Sequence, residues 1–188
     1  MTQSKPANHY DTFSMALHWI TAICIVIGFT LGPGQFGKLM HSGVDPATQS
    51  DIVWHESLGM LVLLLTFVRL VWLTLRPTRP QFAMPTGMRF VSRAVQTALW
   101  ALMILLPTSA LLALGSEGNP LTLLGGLRMN QIPLIAGSSV AELTDWGDVH
   151  KFLGDSIMWL AGLHAAAAIF HHFILKDGVL RSMLPSRK

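Results

Sequence analysis

The sequence predicts an all-α protein, an integral membrane four-helix bundle with both termini in the cytoplasm. Of its 188 residues, 51% are hydrophobic and only 12% are charged, whereas an ordinary soluble domain has about 25% charged residues. Four apolar stretches are each long enough to cross a bilayer core, which takes roughly 20 helical residues. Cys24 is the only cysteine, which excludes a disulfide scaffold and a thiolate metal cluster.

The four predicted spans belong to a single transmembrane domain, residues 1–188, and cover about 15–31, 54–75, 94–114 and 152–175. None of them alternates apolar with polar residues as a barrel strand does, so helices must satisfy the backbone groups in lipid. The first span is expected to be retained, because its apolar part exceeds that of a typical signal peptide. The connection at 115–149 is long enough to fold over the bundle.

Basic residues flank the spans unevenly, and this bias predicts the orientation. Nine lie in the two tails and the second connection: Lys5, Arg76, Arg79, Arg89, Arg93, Lys176, Arg181, Arg187 and Lys188. Only Lys38, Arg128 and Lys151 lie on the opposite side. The more basic side faces the cytoplasm, so both termini are predicted there. Because these residues border helix ends, the net charge of +3 indicates anchoring at anionic headgroups and no nucleic acid partner.

Histidines are the ionisable residues that stand out in and beside the spans. His9 and His41 lie in polar flanks and are interpreted as solvated. The other six lie on or at the ends of the spans: His18, His55, His150, His164, His171 and His172. Ionisable side chains are costly in a membrane and usually face the bundle interior, where they have a function.

The depths of these histidines predict two facing pairs. His55 and His150 open the second and fourth spans at the outer side, so they can face each other. His164 follows His150 by 14 residues, which places it roughly 21 Å deeper and only about 40° round the helix. His18 approaches the same inner level from the cytoplasmic side. The sequence therefore predicts an outer pair, His55 with His150, and an inner pair, His18 with His164.

One imidazole on either side of a gap suits axial ligation of a haem iron better than zinc, which takes four ligands. Small residues at 161–168 surround His164 and leave room for a flat macrocycle, as Gly28 and Gly59 could on their spans. Close helix packing is the alternative explanation of such small residues. A transporter that binds a metal ion through its histidines is the non-haem alternative.

Two further residues lie near the inner pair. Arg69, at the depth of that pair, either snorkels toward the cytoplasmic headgroups or forms an ion pair with a propionate of the inner haem. His171 lies two turns below His164 on nearly the same face, with Lys176 close by, and can hold a quinone oxygen or deliver a proton. His172 lies about 100° further round and is expected at the solvated interface.

Three stretches resemble the prokaryotic cytochrome b561 family, small four-helix di-haem cytochromes b of the bacterial inner membrane. They are LHWI at 17–20, WHESLGMLVLLLTFVRLVW at 54–72 and VHKFLGDSIMWLAGLHAAAAIFHHFILKDGVLRSMLP at 149–185. The resemblance covers nearly the whole chain. It implies that His18, His55, His150 and His164 are the axial ligands of two haems b, and that His171 is associated with quinone. It also implies electron transfer from periplasmic superoxide through the haems to ubiquinone.

Bis-histidine iron has no vacant position for oxygen activation, which favours outer-sphere electron transfer. Two functions remain: a superoxide:quinone oxidoreductase, or a di-haem anchor subunit that couples a soluble dehydrogenase or hydrogenase to the quinone pool. Assembly into a homo-oligomer is also open.

The charge on the outer side bears on the donor, because superoxide is an anion and positive charge would steer it. Lys38, Arg128 and Lys151 are outnumbered by eight acidic residues: Asp45, Asp51, Glu56, Glu117, Glu142, Asp145, Asp148 and Asp155. We therefore expect the rate of haem reduction by superoxide to depend on one of the three basic residues.

Overall fold

The structure consists mainly of four long helices. The computed structural model describes residues 9–32, 42–76, 80, 82–130, 135 and 137–185. The helices are α1 Thr12–Leu31, α2 Ser50–Leu75, α3 Thr86–Glu117 and α4 Trp146–Phe170, the last continued by a π-helical turn at His171–Leu175. Each is long and apolar enough to cross a membrane, which confirms the four predicted spans.

All four helices begin before the predicted spans, and at α1 and α4 polar capping groups outside the apolar stretches account for the earlier start. The Asp11 side chain accepts a hydrogen bond from the Ser14 N–H at 2.8 Å and begins α1 three residues early. The Asp145 side chain caps α4 by accepting from the Asp148 N–H at 3.0 Å. A span predicted from hydropathy ends where the hydrocarbon ends, whereas a capped helix continues into the interface.

The four helices form two closely packed pairs. α1 packs along α2, and α3 packs along α4, while α1 and α4 make few contacts across the bundle. One buried residue from each helix forms the central core: Cys24, Val62, Met103 and Ile157. Large apolar side chains are exposed on all four helices, as expected for a surface that faces lipid. The pairing leaves a gap between the two halves of the bundle.

The connection between α3 and α4 folds back over one end of the bundle, here called the hairpin end. It contains a two-stranded antiparallel hairpin, β1 Leu121–Leu123 and β2 Leu127–Met129, which is the one departure from an all-α structure among the described residues. The buried Glu56 carboxylate on α2 accepts hydrogen bonds from the Thr122 N–H and, at 2.8 Å, from its hydroxyl. This contact holds the hairpin down on α2.

The first and last described residues meet at the opposite end, here called the terminal end. The Tyr10 N–H donates to the Ser182 carbonyl at 3.0 Å. The Trp19 indole N–H donates to the Met183 carbonyl at 2.8 Å. The segment after α4 is thereby fastened across the start of α1, and it closes the bundle on this side.

Candidate functional site

The structure brings together the four histidines in the two pairs that their depths predict. The ring centroids of His55 and His150 are 6.0 Å apart, and their planes are inclined by 87°. Those of His18 and His164 are 6.4 Å apart and inclined by 71°. An imidazole nitrogen lies about 1 Å from its ring centre and binds a metal at about 2 Å, so two rings on one iron have centres about 6 Å apart. Both pairs therefore have the spacing of axial ligands.

Hydrogen bonds at Nδ1 orient the two outer imidazoles. His55 Nδ1 donates to the Gly28 carbonyl at 2.8 Å, and His150 Nδ1 donates to the Leu106 carbonyl at 3.0 Å. A proton on Nδ1 places the lone pair on Nε2, and histidines that bind metals commonly show this arrangement with a backbone carbonyl. The outer pair thus presents the correct tautomer for iron.

Glycines one turn from the outer histidines test whether a macrocycle fits. A Cβ atom at Gly59, four residues after His55, would meet no neighbouring atom within 4 Å. A Cβ at Gly154, four residues after His150, would reach only Leu106, at 3.9 Å. At Gly28, too, a Cβ would meet only the Leu58 Cβ, at 3.9 Å and in ordinary contact. The residues beside the outer pair fit a haem.

Arg69 remains inside the bundle instead of reaching toward the headgroups. Its Cζ lies 4.8 Å from the ring centroid of Trp100 on α3, a cation–π distance. Its charge lies within electrostatic range of both His18 and His164. Within the described residues it forms no ion pair. This position favours the propionate interpretation of Arg69 over snorkelling.

A second arginine, interpreted from the sequence only as a topological charge, is also buried. The Arg76 side chain is only 6% exposed and lies 3.5 Å from Asp11. Its guanidinium stacks 4.8 Å from the Tyr10 ring centroid. The Arg76 Nε–H is buried without an acceptor, which is rare in folded proteins. An anionic group at the terminal end would satisfy it.

His171 is buried at the terminal end and has a specific partner. Its Nδ1 contacts a carboxylate oxygen of Asp177, a residue that the sequence analysis missed. An open cavity of about 570 Å³ lies beside this pair, lined by His172, Phe173, Lys176, Asp177, Gly178 and Arg181. His172, expected at the solvated interface, is half-buried against this cavity.

The basic residues that the sequence predicts on the outer side are only partly described. Arg128 on β2 forms an ion pair with Asp45 at 2.6 Å, so its charge is offset. The Ala47 N–H and the Arg128 guanidinium hold the pKa of Asp45 below its ordinary value. Lys151 is exposed, whereas Glu56, counted among the acidic residues, is buried under the hairpin. Several residues named above lie outside the described part of the chain: Lys5, Lys38, His41, Arg79, Arg187 and Lys188.

Among the described residues, no group of three or more histidine, cysteine, aspartate or glutamate side chains could hold a metal ion. The histidines come in pairs across a gap, and pairs suit a haem iron with four equatorial nitrogens of its own.

Comparisons with known proteins agree over nearly the full length. The family model described as prokaryotic cytochrome b561 matches residues 9–186. Cytochrome b561 homolog 2 of Escherichia coli (strain K12) is 27% identical, over 98% of this chain and 95% of its own. The probable superoxide oxidase CybB of Yersinia pestis is 24% identical, over 95% of this chain and 97% of its own. Cytochrome b562 of Cereibacter sphaeroides is 26% identical, over 95% of this chain and 96% of its own.

Proposed function

Because the chain belongs to the prokaryotic cytochrome b561 family of haem b-binding membrane electron-transfer proteins, we propose that it passes electrons from periplasmic superoxide to ubiquinone in the inner membrane. The observation that carries the proposal is the two histidine pairs, one at each end of the bundle, with ring centres 6.0 and 6.4 Å apart. Haem iron held by two histidines supplies one-electron transfer and has no vacant position for oxygen.

Each haem is assigned to one pair. His55 and His150 hold the haem nearer the hairpin end, in the gap beside Gly59 and Gly154. His18 and His164 hold the other, and Arg69 receives one of its propionates, since this arginine has no carboxylate of its own within the described residues. Both haems would lie between the two helix pairs, where contacts between helices are fewest.

The hairpin end faces the periplasm in this proposal, because the basic residues concentrate at the other end. Superoxide gives up one electron there and leaves as dioxygen. Arg128 and Lys151 are the described cations that can attract the anion, and Asp45 weakens the first of them. The relative named probable superoxide oxidase CybB supports this donor.

The terminal end faces the cytoplasm and receives the quinone. His171 is buried there, and the cavity of about 570 Å³ that Asp177 lines gives water access to this end of the bundle. Two electrons and two protons convert the quinone to a quinol, so a proton donor is needed beside it. His171 is suited to that task because an imidazole N–H can donate a proton to a quinone oxygen.

A stopped-flow experiment tests the proposal. A superoxide pulse should reduce the haems of the purified protein, superoxide dismutase should abolish that reduction, and a soluble ubiquinone analogue should re-oxidise the haems. Haems that stay oxidised under superoxide but are reduced by a co-purifying dehydrogenase or hydrogenase would contradict the proposal and identify an anchor subunit. A preparation without b-type haem would remove both functions.

A further inference from the structure

The backbone after α4 turns Asp177 back under His171. The α-helix widens into a π-helical turn at His171–Leu175, and Lys176 then adopts a left-handed conformation with φ 55°. The amide N–H groups of Lys176 and, at 3.4 Å, of Asp177 both point to the His171 carbonyl. Single π turns are frequent at functional sites. Here the turn places a carboxylate directly against the imidazole.

The carboxylate is fixed from both sides. Asp177 Oδ2 contacts His171 Nδ1, and Asp177 Oδ1 accepts a hydrogen bond from the Val179 N–H at 3.1 Å. His171 is only 8% exposed, and an unpaired charge at such a position is strongly disfavoured. A carboxylate in contact with Nδ1 accepts a hydrogen bond from it and balances a positive charge on the ring. Nε2, on the far side of the ring from Asp177, is then a proton donor.

Asp177 also connects the buried ring with the cavity. It lines the cavity of about 570 Å³, whereas its partner His171 is buried. Lys176 and Arg181 lie on the same cavity wall, so this region is polar enough to hold water. Water there can return a proton to the pair after each transfer.

We propose that Asp177 is a positioning residue for quinone reduction, which holds His171 as an imidazolium with Nε2–H directed away from the carboxylate. This inference rests on the proposed function. Each superoxide supplies one electron and leaves as dioxygen, and two electrons reduce one quinone. The Nε2–H bond of His171 breaks as an O–H bond forms on the reduced quinone, while the Nδ1–H stays hydrogen-bonded to Asp177. A proton from the cytoplasm, carried by water, then restores the Nε2–H bond, and the cycle repeats for the second oxygen.

The test is re-oxidation of pre-reduced holoprotein by a soluble ubiquinone analogue over a range of concentrations. Asp177→Asn keeps the shape but removes the charge. Its rate at saturating quinone should fall at least about ten-fold, within the range for loss of acid–base catalysis, while the half-saturating concentration stays within about two-fold. Asp177→Glu should recover most of the rate. Asp155→Asn, an exposed carboxylate on α4 remote from the terminal end, is the matched control and should behave as wild type.

A spectroscopic measurement tests the same pair without turnover. Nitrogen NMR of ¹⁵N-histidine-labelled, reduced protein should show one imidazolium that persists in Asp177→Glu and becomes neutral in Asp177→Asn. The proposal is wrong if Asp177→Asn re-oxidises at the wild-type rate, loses only quinone affinity, loses haem or keeps the imidazolium signal. Wild-type haems that the quinone analogue does not re-oxidise would instead contradict the proposed function. The NMR spectra would then still show whether Asp177 holds His171 as an imidazolium.

Discussion

Replacing Gly32 by alanine is expected to remove the haem held by His55 and His150 and to leave the other haem in place. Gly32 directly follows α1, and a methyl group there would overlap the His55 ring at Cε1 and Nδ1. Carbon contacts are comfortable at about 3.5 Å, so the ring has to retreat by about 1 Å. Metal–nitrogen bond lengths vary by only about 0.2 Å, so a His55 ring displaced by this distance can no longer bind the iron. The same movement stretches the 2.8 Å hydrogen bond from His55 to Gly28.

The assay is haem content per chain together with a redox titration of the purified protein. Wild type should show two haems and Gly32→Ala one, with the potential of the remaining haem unchanged. Gly28→Ala is the matched control, since its methyl group would lie 3.9 Å from Leu58 in ordinary contact and should leave two haems. Two haems with unaltered potentials in Gly32→Ala would refute the assignment of His55 as an axial ligand.

Three further predictions follow from the same geometry. His18→Ala should remove only the haem at the terminal end, and loss of the other haem would show that the pairing with His164 is wrong. Arg69→Leu should lower the midpoint potential of that haem by tens of millivolts, because a cation within about 10 Å favours the reduced state; an unchanged potential in a redox titration would mean that Arg69 meets no propionate. Arg128→Glu should slow haem reduction by superoxide and Asp45→Asn should speed it, because the two charges offset each other at 2.6 Å. A wild-type rate that rises with added salt would mean that the acidic surface repels the anion.

The histidine pairs could be predicted from sequence because a membrane fixes the depth of every helical residue. His150 and His164 are separated by 14 residues, which is close to four full turns, so both must face the same gap. Span ends are marked by hydropathy, and the level of His18 follows from them. Their role as iron ligands stays a prediction that the haem-content experiments address.

The contacts that depend on irregular backbone could not be predicted. In a continuous α-helix Asp177 would lie about 120° round the axis from His171, so its approach requires the π turn and the left-handed Lys176. The contact of Glu56 with Thr122 spans 66 residues and depends on how the hairpin folds over α2. Hydropathy gives no information about either contact.

The central core between the two histidine pairs determines whether protons can cross the bundle together with electrons. Ile157 lies seven residues from both His150 and His164, about 10 Å from each along the helix, and together with Cys24, Val62 and Met103 it forms a layer without a charged side chain. Electrons tunnel through such a layer, whereas protons need water or titratable groups to hop. In the proposed reaction, electrons therefore move inward without accompanying protons. Quinone reduction at the cytoplasmic side must then draw its protons from the cytoplasm, so that each turnover adds to the inside-negative membrane potential by the charge of the electrons it carries.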